Sequence, residues 1–140
     1  MRIIKVNNKN KKIADKFKKN EWKKFNKEKN YSWDHKEYSL IAIDNKKVVG
    51  FIKFNITGGV AYLEQLIVAK SDRQKGVGQK LLKKFEEIAK NKGCHAAYLD
   101  TSEKHNEALN FYMKNNYKIS SKLKNYKFHF DWYLLSKRLK

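Results

Sequence analysis

Residues 68–82 combine two closely spaced glycines with basic side chains, at a point where a predicted strand is followed by a predicted helix. Gly76 and Gly78 would let a ligand approach the backbone closely at the mouth of that helix. The first amides of a helix have no internal partners and lie at the positive end of its dipole. Arg73 and Lys75 would add positive charge. The segment therefore predicts a binding site for a pyrophosphate group.

The spacing of these glycines distinguishes among phosphate-binding motifs. The sequence contains neither the Gly-x-x-x-x-Gly-Lys-Ser/Thr pattern of nucleoside triphosphate loops nor the Gly-x-Gly-x-x-Gly pattern of dinucleotide-binding folds. A nucleotide site of either kind is therefore not expected. Taken alone, the segment is equally compatible with a glycine-rich turn that only begins a helix.

Hydrophobic periodicity predicts a mixed α/β chain. Amphipathic helices are expected at about residues 11–29, at 76–92, where Gly93 would cap the helix, and at 106–115. Strands are expected at residues 1–6, 39–43, 48–54, 61–68, 95–100, 117–120 and 131–139. The three strands between 39 and 68 would be consecutive and antiparallel. We therefore expect a single domain over residues 1–140, built as a mixed α/β sheet covered by helices.

The composition favours a globular protein outside the secretory route. Hydrophobic residues make up 41% of the 140 residues, more than a disordered chain carries. Cys94 is the only cysteine, and the N-terminal residues lack the apolar core of a signal peptide. The four histidines, His35, His95, His105 and His129, show no metal-ligand spacing with one another or with Cys94. A cytoplasmic protein without a metal site is expected.

The net charge of +19 has two interpretations. Clustered lysines and arginines would neutralise the phosphates of a nucleic acid. Here, however, the lysines are scattered along nearly the whole chain, singly or in pairs, which is typical of a solvated surface. We therefore expect no specific nucleic-acid partner and no membrane partner, and either a monomer or a homodimer.

Two segments resemble motifs of the GNAT superfamily of N-acetyltransferases. Residues 73–78, Arg-Gln-Lys-Gly-Val-Gly, match the family signature Arg/Gln-x-x-Gly-x-Gly/Ala. Residues 106–117 are similar to the second motif, Asn-x-x-Ala-x-x-x-Tyr ending in Gly-Phe, with Ala108 one position early and Asn116-Tyr117 in place of Gly-Phe. Asparagine is the next best residue for a left-handed helix cap, so this turn should survive. The resemblance extends over residues 40–139 and is weak over the first 35.

The resemblance implies a GNAT-like fold with acetyl-CoA (coenzyme A) as co-substrate. The sheet would be central, mixed and mostly antiparallel, with about six to seven strands flanked by helices. Acetyl-CoA would be wedged between the fourth strand, residues 61–68, and the fifth, residues 95–100. An amide of the fourth strand, at Ile67 or Val68, would form the oxyanion site. The co-substrate would be held by Leu66, Ile67, Val68, Arg73, Gln74, Lys75, Gly76, Val77, Gly78, Gln79, Asn106 and Tyr112.

The resemblance also implies that a primary amine attacks the thioester directly, in a ternary complex. An alkylamine has a pKa near about 10, so its proton must be accepted before it attacks. Glu64 is the candidate base, with Asp100 and Thr101 as weaker alternatives. Tyr112 would be the hydrogen-bond donor or general acid for the leaving thiolate.

Each of these roles has a structural alternative. Tyr112 could be a core aromatic, Glu64 could pair with a lysine, and Asn106 could cap the helix that it begins. For the chain as a whole, a non-catalytic acyl-CoA sensor and a basic nucleic-acid-binding module remain open. The resemblance places residues 122–130 at the border of the acceptor pocket. The sequence does not identify the amine, which could belong to a small molecule or to a protein.

Overall fold

The computed structural model describes residues 1–30 and 32–140, which form two compact units, Met1–Trp33 and Asp34–Lys140. Each unit is described by itself. The single domain over residues 1–140 stays a prediction.

The first unit is built on helix α1 (Lys11–Lys29), as predicted. The backbone carbonyl of Asn7 accepts a hydrogen bond from the amide of Lys11 at 2.9 Å, and Asn30 ends the helix at a φ of 57°. The strand predicted over residues 1–6 is wrong, because these residues belong to no strand. A segment with strand-forming residues becomes a strand only if its backbone can hydrogen-bond to a neighbouring strand. Sequence propensity does not show whether such a neighbour exists. No helix within the described ranges is long and apolar enough to cross a membrane.

The second unit contains a six-stranded sheet and two helices. Its elements are β1 (Lys36–Asp44), β2 (Lys47–Thr57), β3 (Val60–Val68), α2 (Val77–Asn91), β4 (Ala96–Ser102), α3 (Asn106–Lys114), β5 (Lys118–Leu123) and β6 (Trp132–Arg138).

The sheet has the strand order β1-β2-β3-β4-β6-β5. Neighbouring strands run antiparallel except β3 and β4, which run parallel. The predicted mixed, mostly antiparallel sheet of about six to seven strands is confirmed with six. Because residues 1–6 form no strand, the predicted fourth and fifth strands are β3 and β4.

Helix α2 packs its apolar side onto the first three strands. Leu82, Phe85 and Ala89 lie in one buried cluster with Ile52 and Phe54 of β2. The start of the helix approaches β2 at Gly50, where an added Cβ would lie 2.9 Å from Cδ1 of Leu81. The same Cβ would lie 3.0 Å from Cγ1 of Val77, so a larger residue at position 50 would require the side chains of Leu81 and Val77 to shift. This contact sets where the first turn of α2 stands relative to the sheet.

The end of α3 is held in place by a left-handed turn. Asn116 has a φ of 69°, and the amides of Asn116 and Tyr117 bond to the carbonyls of Met113 and Tyr112, each at 3.1 Å. This is the Schellman arrangement that glycine usually completes. The expectation that the turn survives with Asn116-Tyr117 is confirmed. The turn fixes the last residues of the helix that carries Tyr112.

A largely buried ion pair joins α2, α3 and β6. Nζ of Lys137 lies 3.0 and 2.9 Å from the two carboxylate oxygens of Glu86. The same ammonium donates to the backbone carbonyl of Asn115 at 3.0 Å, just beyond the end of α3. Since a buried carboxylate is costly unless paired, Glu86 requires this partner. The pair ties the C-terminal end of α3 to the sheet.

Candidate active site between two diverging strands

Strands β3 and β4 begin as neighbours and then separate. Their ladder consists of three pairs, Val60–Ala96, Ala61–Ala97 and Tyr62–Tyr98, and no later pair occurs within the described residues. A cleft of about 370 Å³ opens beyond the last pair. It is lined by Leu63, Glu64, Gln65, Leu66, Ile67, Leu99, Asp100, Thr101, His105, Ala108 and Tyr112.

A β-bulge at Glu64 accompanies this separation. Lys53 of β2 pairs with Gln65 of β3, and the next residue of β2, Phe54, pairs with Leu63. Glu64 is therefore an extra residue in β3. A bulge bends its strand and redirects the side chains that follow. The bend begins just after the last β3–β4 pair, which accounts for the opening of the cleft there.

Glu64 lies in the cleft but is already paired with polar neighbours. Its Oε1 accepts a hydrogen bond from Nδ2 of Asn55 at 2.8 Å, and its Oε2 lies 3.2 Å from Nζ of Lys53. The hydrogen bond from Asn55, with the smaller contribution of Lys53, holds the pKa of Glu64 below its ordinary value despite some desolvation. The carboxylate is therefore ionised at neutral pH. The structural alternative for Glu64, pairing with a lysine, is present in the structure. Its role as the general base stays a prediction.

Asp100, the weaker candidate base, lies on the opposite wall. Its Oδ2 accepts a hydrogen bond from the hydroxyl of Tyr62 at 2.7 Å, and its Oδ1 lies 3.6 Å from Nζ of Lys127. Burial, together with the adjacent Asp100 carboxylate, raises the pKa of Tyr62 above its ordinary value. Tyr62 therefore stays protonated and donates a hydrogen bond to Asp100. The side chain of Thr101, the other candidate, is buried beside Asp100.

Tyr112 belongs both to the core and to the cleft wall. Only 9% of the residue is exposed, and its ring packs edge-on against Tyr117 with centroids 5.8 Å apart. Burial raises the pKa of Tyr112 to about 12, so the phenol stays protonated at physiological pH. A neutral phenol in a cleft can donate a hydrogen bond or a proton. The core role is confirmed, and the catalytic role stays a prediction.

The glycine loop has the geometry of an open helix N-terminus. Gly76 precedes the first residue of α2 and has a φ of 79°. Residues other than glycine rarely adopt this backbone conformation. The amide of Lys80 bonds to the carbonyl of Gly76 at 3.1 Å. The amides of Val77, Gly78 and Gln79 precede this bond, so the helix itself provides them with no acceptor.

The basic residues of the loop differ in their contacts. Nε of Arg73 donates to the carbonyl of Val68 at 3.2 Å, which ties the loop to the end of β3. Nζ of Lys75 lies 3.6 Å from the carboxylate of Asp72, and the lysine side chain is 63% exposed. Gln74 adopts a φ of 62°. The loop thus carries the predicted basic side chains, but Asp72 partly neutralises the charge of Lys75.

The loop lies next to the cleft rather than within its wall. Leu66, Ile67, Glu64 and Tyr112 line the cleft together, whereas the other predicted co-substrate residues are not among its lining residues. Gly78 lies close to the end of β3, since an added Cβ there would lie 3.6 Å from Phe111 and from Val68, the residue that follows the cleft-lining Ile67. That is ordinary contact, so packing would tolerate alanine at this position.

Asn106 is the first residue of α3, and His105 occupies the cap position before it. The interpretation of Asn106 as the helix cap is therefore wrong. Its side chain is left exposed near the cleft-lining His105.

Two groups at the cleft were not singled out from the sequence. His105 lines the cleft at the start of α3, and only the position of this helix could have suggested it. Tyr62 precedes Glu64 by two residues, which is the strand period, but its partner Asp100 is 38 residues away in sequence. The residues that the structure describes contain no cluster of three or more side chains suited to a metal ion.

Comparison with known proteins identifies the family. The model of the acetyltransferase (GNAT) family matches residues 8–117. Over 62 residues the chain is 39% identical to thialysine N-epsilon-acetyltransferase of Mus musculus, covering 44% of this chain and 36% of that protein's length. This alignment thus spans little more than a third of that relative.

Solved structures share the fold. An acetyltransferase from Bacillus cereus superposes with a TM-score of 0.76 at 24% identity, covering 99% of this chain and 97% of the other. An aminoglycoside 6'-N-acetyltransferase in complex with coenzyme A gives a TM-score of 0.66 at 23% identity, covering 74% and 73% of the two chains. With a family model matched over most of its length, a cleft between diverging strands and a glycine loop beside that cleft, this chain belongs to the GNAT acetyltransferase family.

Proposed function

We propose that this protein is an N-acetyltransferase that moves an acetyl group from acetyl-CoA to a primary amine. The observation that carries the proposal is the cleft between β3 and β4, with the Tyr112 phenol in its wall and the glycine loop beside it. A pyrophosphate group at the loop and a thioester in the cleft would belong to one extended ligand. The relatives are acetyltransferases, and one structural neighbour was solved with coenzyme A.

The residues present fit such a co-substrate. Beyond Tyr62, the edge of β3 that faces β4 has no ladder partner in the described part of the chain, so it can bond an extended arm. Leu66, Ile67 and Val68 form this edge. The amides at the start of α2 suit the pyrophosphate, with Arg73 and Lys75 supplying charge. Asn106 would bind the arm from α3. Acetyl-CoA supplies an activated acyl carbon, and an amide of Ile67 or Val68 would face its oxygen.

The protein's own contribution to transfer would be to move two protons. The acceptor amine must lose one, and Glu64 and Asp100 are the carboxylates on the two cleft walls that can accept it directly or through water. The departing sulfur must gain one, and Tyr112 is the neutral donor. We infer direct transfer, because the single cysteine, Cys94, is fully buried in the core and does not line the cleft.

A primary amine is the acceptor class that the site and the relatives both support. The names of the relatives specify thialysine and an aminoglycoside, both of which carry amino groups. Each acidic group of the cleft already has a lysine partner, Lys53 for Glu64 and Lys127 for Asp100. A cationic acceptor would have to compete with these lysines, whereas an amine bearing its own anionic group would gain from them.

Calorimetry followed by a thiol-release assay tests the function. Acetyl-CoA should bind with a stoichiometry of one, and a panel of primary amines should include at least one that releases coenzyme A faster than solvent does. Binding without turnover on any amine would favour the acyl-CoA sensor. Failure to bind, with salt-sensitive DNA affinity in its place, would favour the nucleic-acid-binding module.

Paired substitutions distinguish the two candidate bases. Glu64→Gln should lower kcat/KM about 100-fold at neutral pH, because the amine must then lose its proton to solvent. This defect should shrink as pH rises and more acceptor is already neutral. Because the pKa of Glu64 lies below its ordinary value, the carboxylate is ionised throughout the neutral range and the wild-type base should not titrate there.

The matched variant is Asp100→Asn, measured with the same amine over the same pH range. If Asp100→Asn shows the defect that shrinks with pH and Glu64→Gln does not, Asp100 is the base. If neither variant shows it, the proton leaves through water alone.

A further inference from the structure

The chain holds one of its own primary amines against the wall of the cleft. Nζ of Lys127 lies 3.6 Å from Oδ1 of Asp100, which lines the cleft together with Tyr112. The ammonium also lies 5.0 Å from the ring centre of Trp132 and 5.3 Å from that of Tyr126. A carboxylate and two aromatic rings are the groups that hold an alkylammonium ion in proteins. Lys127 thus occupies a site suited to the ammonium form of an acceptor amine.

The backbone around Lys127 is tied down, so this placement does not depend on the long side chain alone. Nε1 of Trp132 donates to the carbonyl of Lys127 at 3.0 Å. The amide of Tyr126 donates to the carbonyl of Phe130 at 2.8 Å, which closes the turn. Phe128 lies within that turn at a φ of 58°, a conformation that a bulky residue adopts only when its surroundings impose it. The turn presents Lys127 toward Asp100.

We propose that Lys127 is an internal acceptor and is acetylated in cis. The inference rests on the proposed function, which supplies acetyl-CoA as the co-reactant. The uncharged Lys127 amine would form a bond to the acyl carbon, and the carbon–sulfur bond would break with its electron pair going to sulfur. As the amide forms, its nitrogen loses a further proton, and the thiolate gains one proton to leave as coenzyme A. The proton lost from the Lys127 ammonium goes to solvent, directly or by way of the Asp100 carboxylate. An amine held beside the site needs no diffusional encounter, which favours it over the other lysines.

Acetylation would change the cleft wall. An acetyl-lysine carries no charge, so the ion pair with Asp100 and the contacts of the cation with Trp132 and Tyr126 would be lost. Asp100 would keep the hydrogen bond from Tyr62 and gain a free oxygen facing a cationic acceptor. The modified protein should therefore bind a cationic amine more tightly than the unmodified one.

Mass spectrometry after incubation with acetyl-CoA tests the proposal. The intact protein should gain one acetyl group, and peptide mapping should place it on Lys127 at a rate at least about tenfold above that of any other lysine. The first-order rate constant should not change with protein concentration, as expected for a reaction in cis. Lys127→Arg should remove the modification. Lys124→Arg, the same change in the same loop, should leave it intact.

A second measurement needs no acetyl-CoA. In NMR spectra of the lysine ammonium groups, Asp100→Asn should shift the Lys127 signal and leave the Lys124 signal in place.

The outcomes separate this inference from the proposed function. Turnover of free amines with Lys127 unmodified would overturn the inference and leave the proposed function standing. Labelling spread evenly over exposed lysines, or a rate that rises with protein concentration, would also overturn it. Absence of both coenzyme A binding and turnover would overturn the inference together with the proposed function.

Discussion

Gly76→Asp is expected to weaken acetyl-CoA binding by about 100-fold or more, because a carboxylate would lie where the pyrophosphate is proposed to bind. Like charges in close contact cost several kcal/mol, and each 1.4 kcal/mol is about tenfold in affinity. Calorimetry with acetyl-CoA measures the effect. Nothing lies within 4 Å of an added Cβ at Gly76, so that atom meets no steric clash with the protein.

The matched control is Gly76→Asn, which has nearly the same shape and no charge. Both side chains must adopt the φ of 79°, and asparagine and aspartate are the residues that tolerate it best. Strain and bulk are therefore shared, and the difference in affinity between the two variants isolates the charge. Equal affinities in two folded variants, checked by their thermal unfolding, would show that the pyrophosphate does not bind at this loop.

Tyr112→Phe is expected to lower kcat about 100-fold with KM nearly unchanged, because the variant keeps the ring and loses only the proton donor. The ring packs against Tyr117, so retaining it should preserve the helix and the affinity for acetyl-CoA. The pKa of Tyr112, about 12, leaves the phenol protonated through the accessible pH range. The defect should therefore change little with pH, in contrast to that of Glu64→Gln.

Tyr117→Phe is the control for losing a buried hydroxyl. Tyr117 lies in the same core, 5.8 Å from Tyr112 between ring centres, and is not among the residues that line the cleft. Its kcat should stay within a few-fold of wild type. If Tyr112→Phe turns over as fast as Tyr117→Phe with any accepted amine, Tyr112 is only a core aromatic and the proposed mechanism has lost its acid.

Local sequence was enough to predict the helices and strands of the second unit. Leu81, Leu82 and Phe85 repeat at helical spacing and are buried in α2, and Gly93 ends that helix at a φ of 81°. Turn residues separated β1, β2 and β3, and the substitution of Asn116 for glycine was correctly expected to keep a left-handed turn. These predictions are correct because hydrophobic periodicity, helix capping and turn preferences each depend on only a few neighbouring residues. The strand expected at residues 1–6 failed because pairing requires a distant partner.

The sequence by itself determined the type and order of the elements of the second unit, and it identified the loop and the helix that carry the candidate site. Tertiary structure alone decided which polar groups contact one another in the walls of the cleft. The bulge at Glu64 depends on the register between β2 and β3. The hydrogen bond from Tyr62 to Asp100 and the contact of Lys127 with Asp100 join residues far apart in sequence. The physical reason is that spacing along the chain reports which side chains share a face of one element. Distances between elements depend on how the whole sheet twists, bulges and packs.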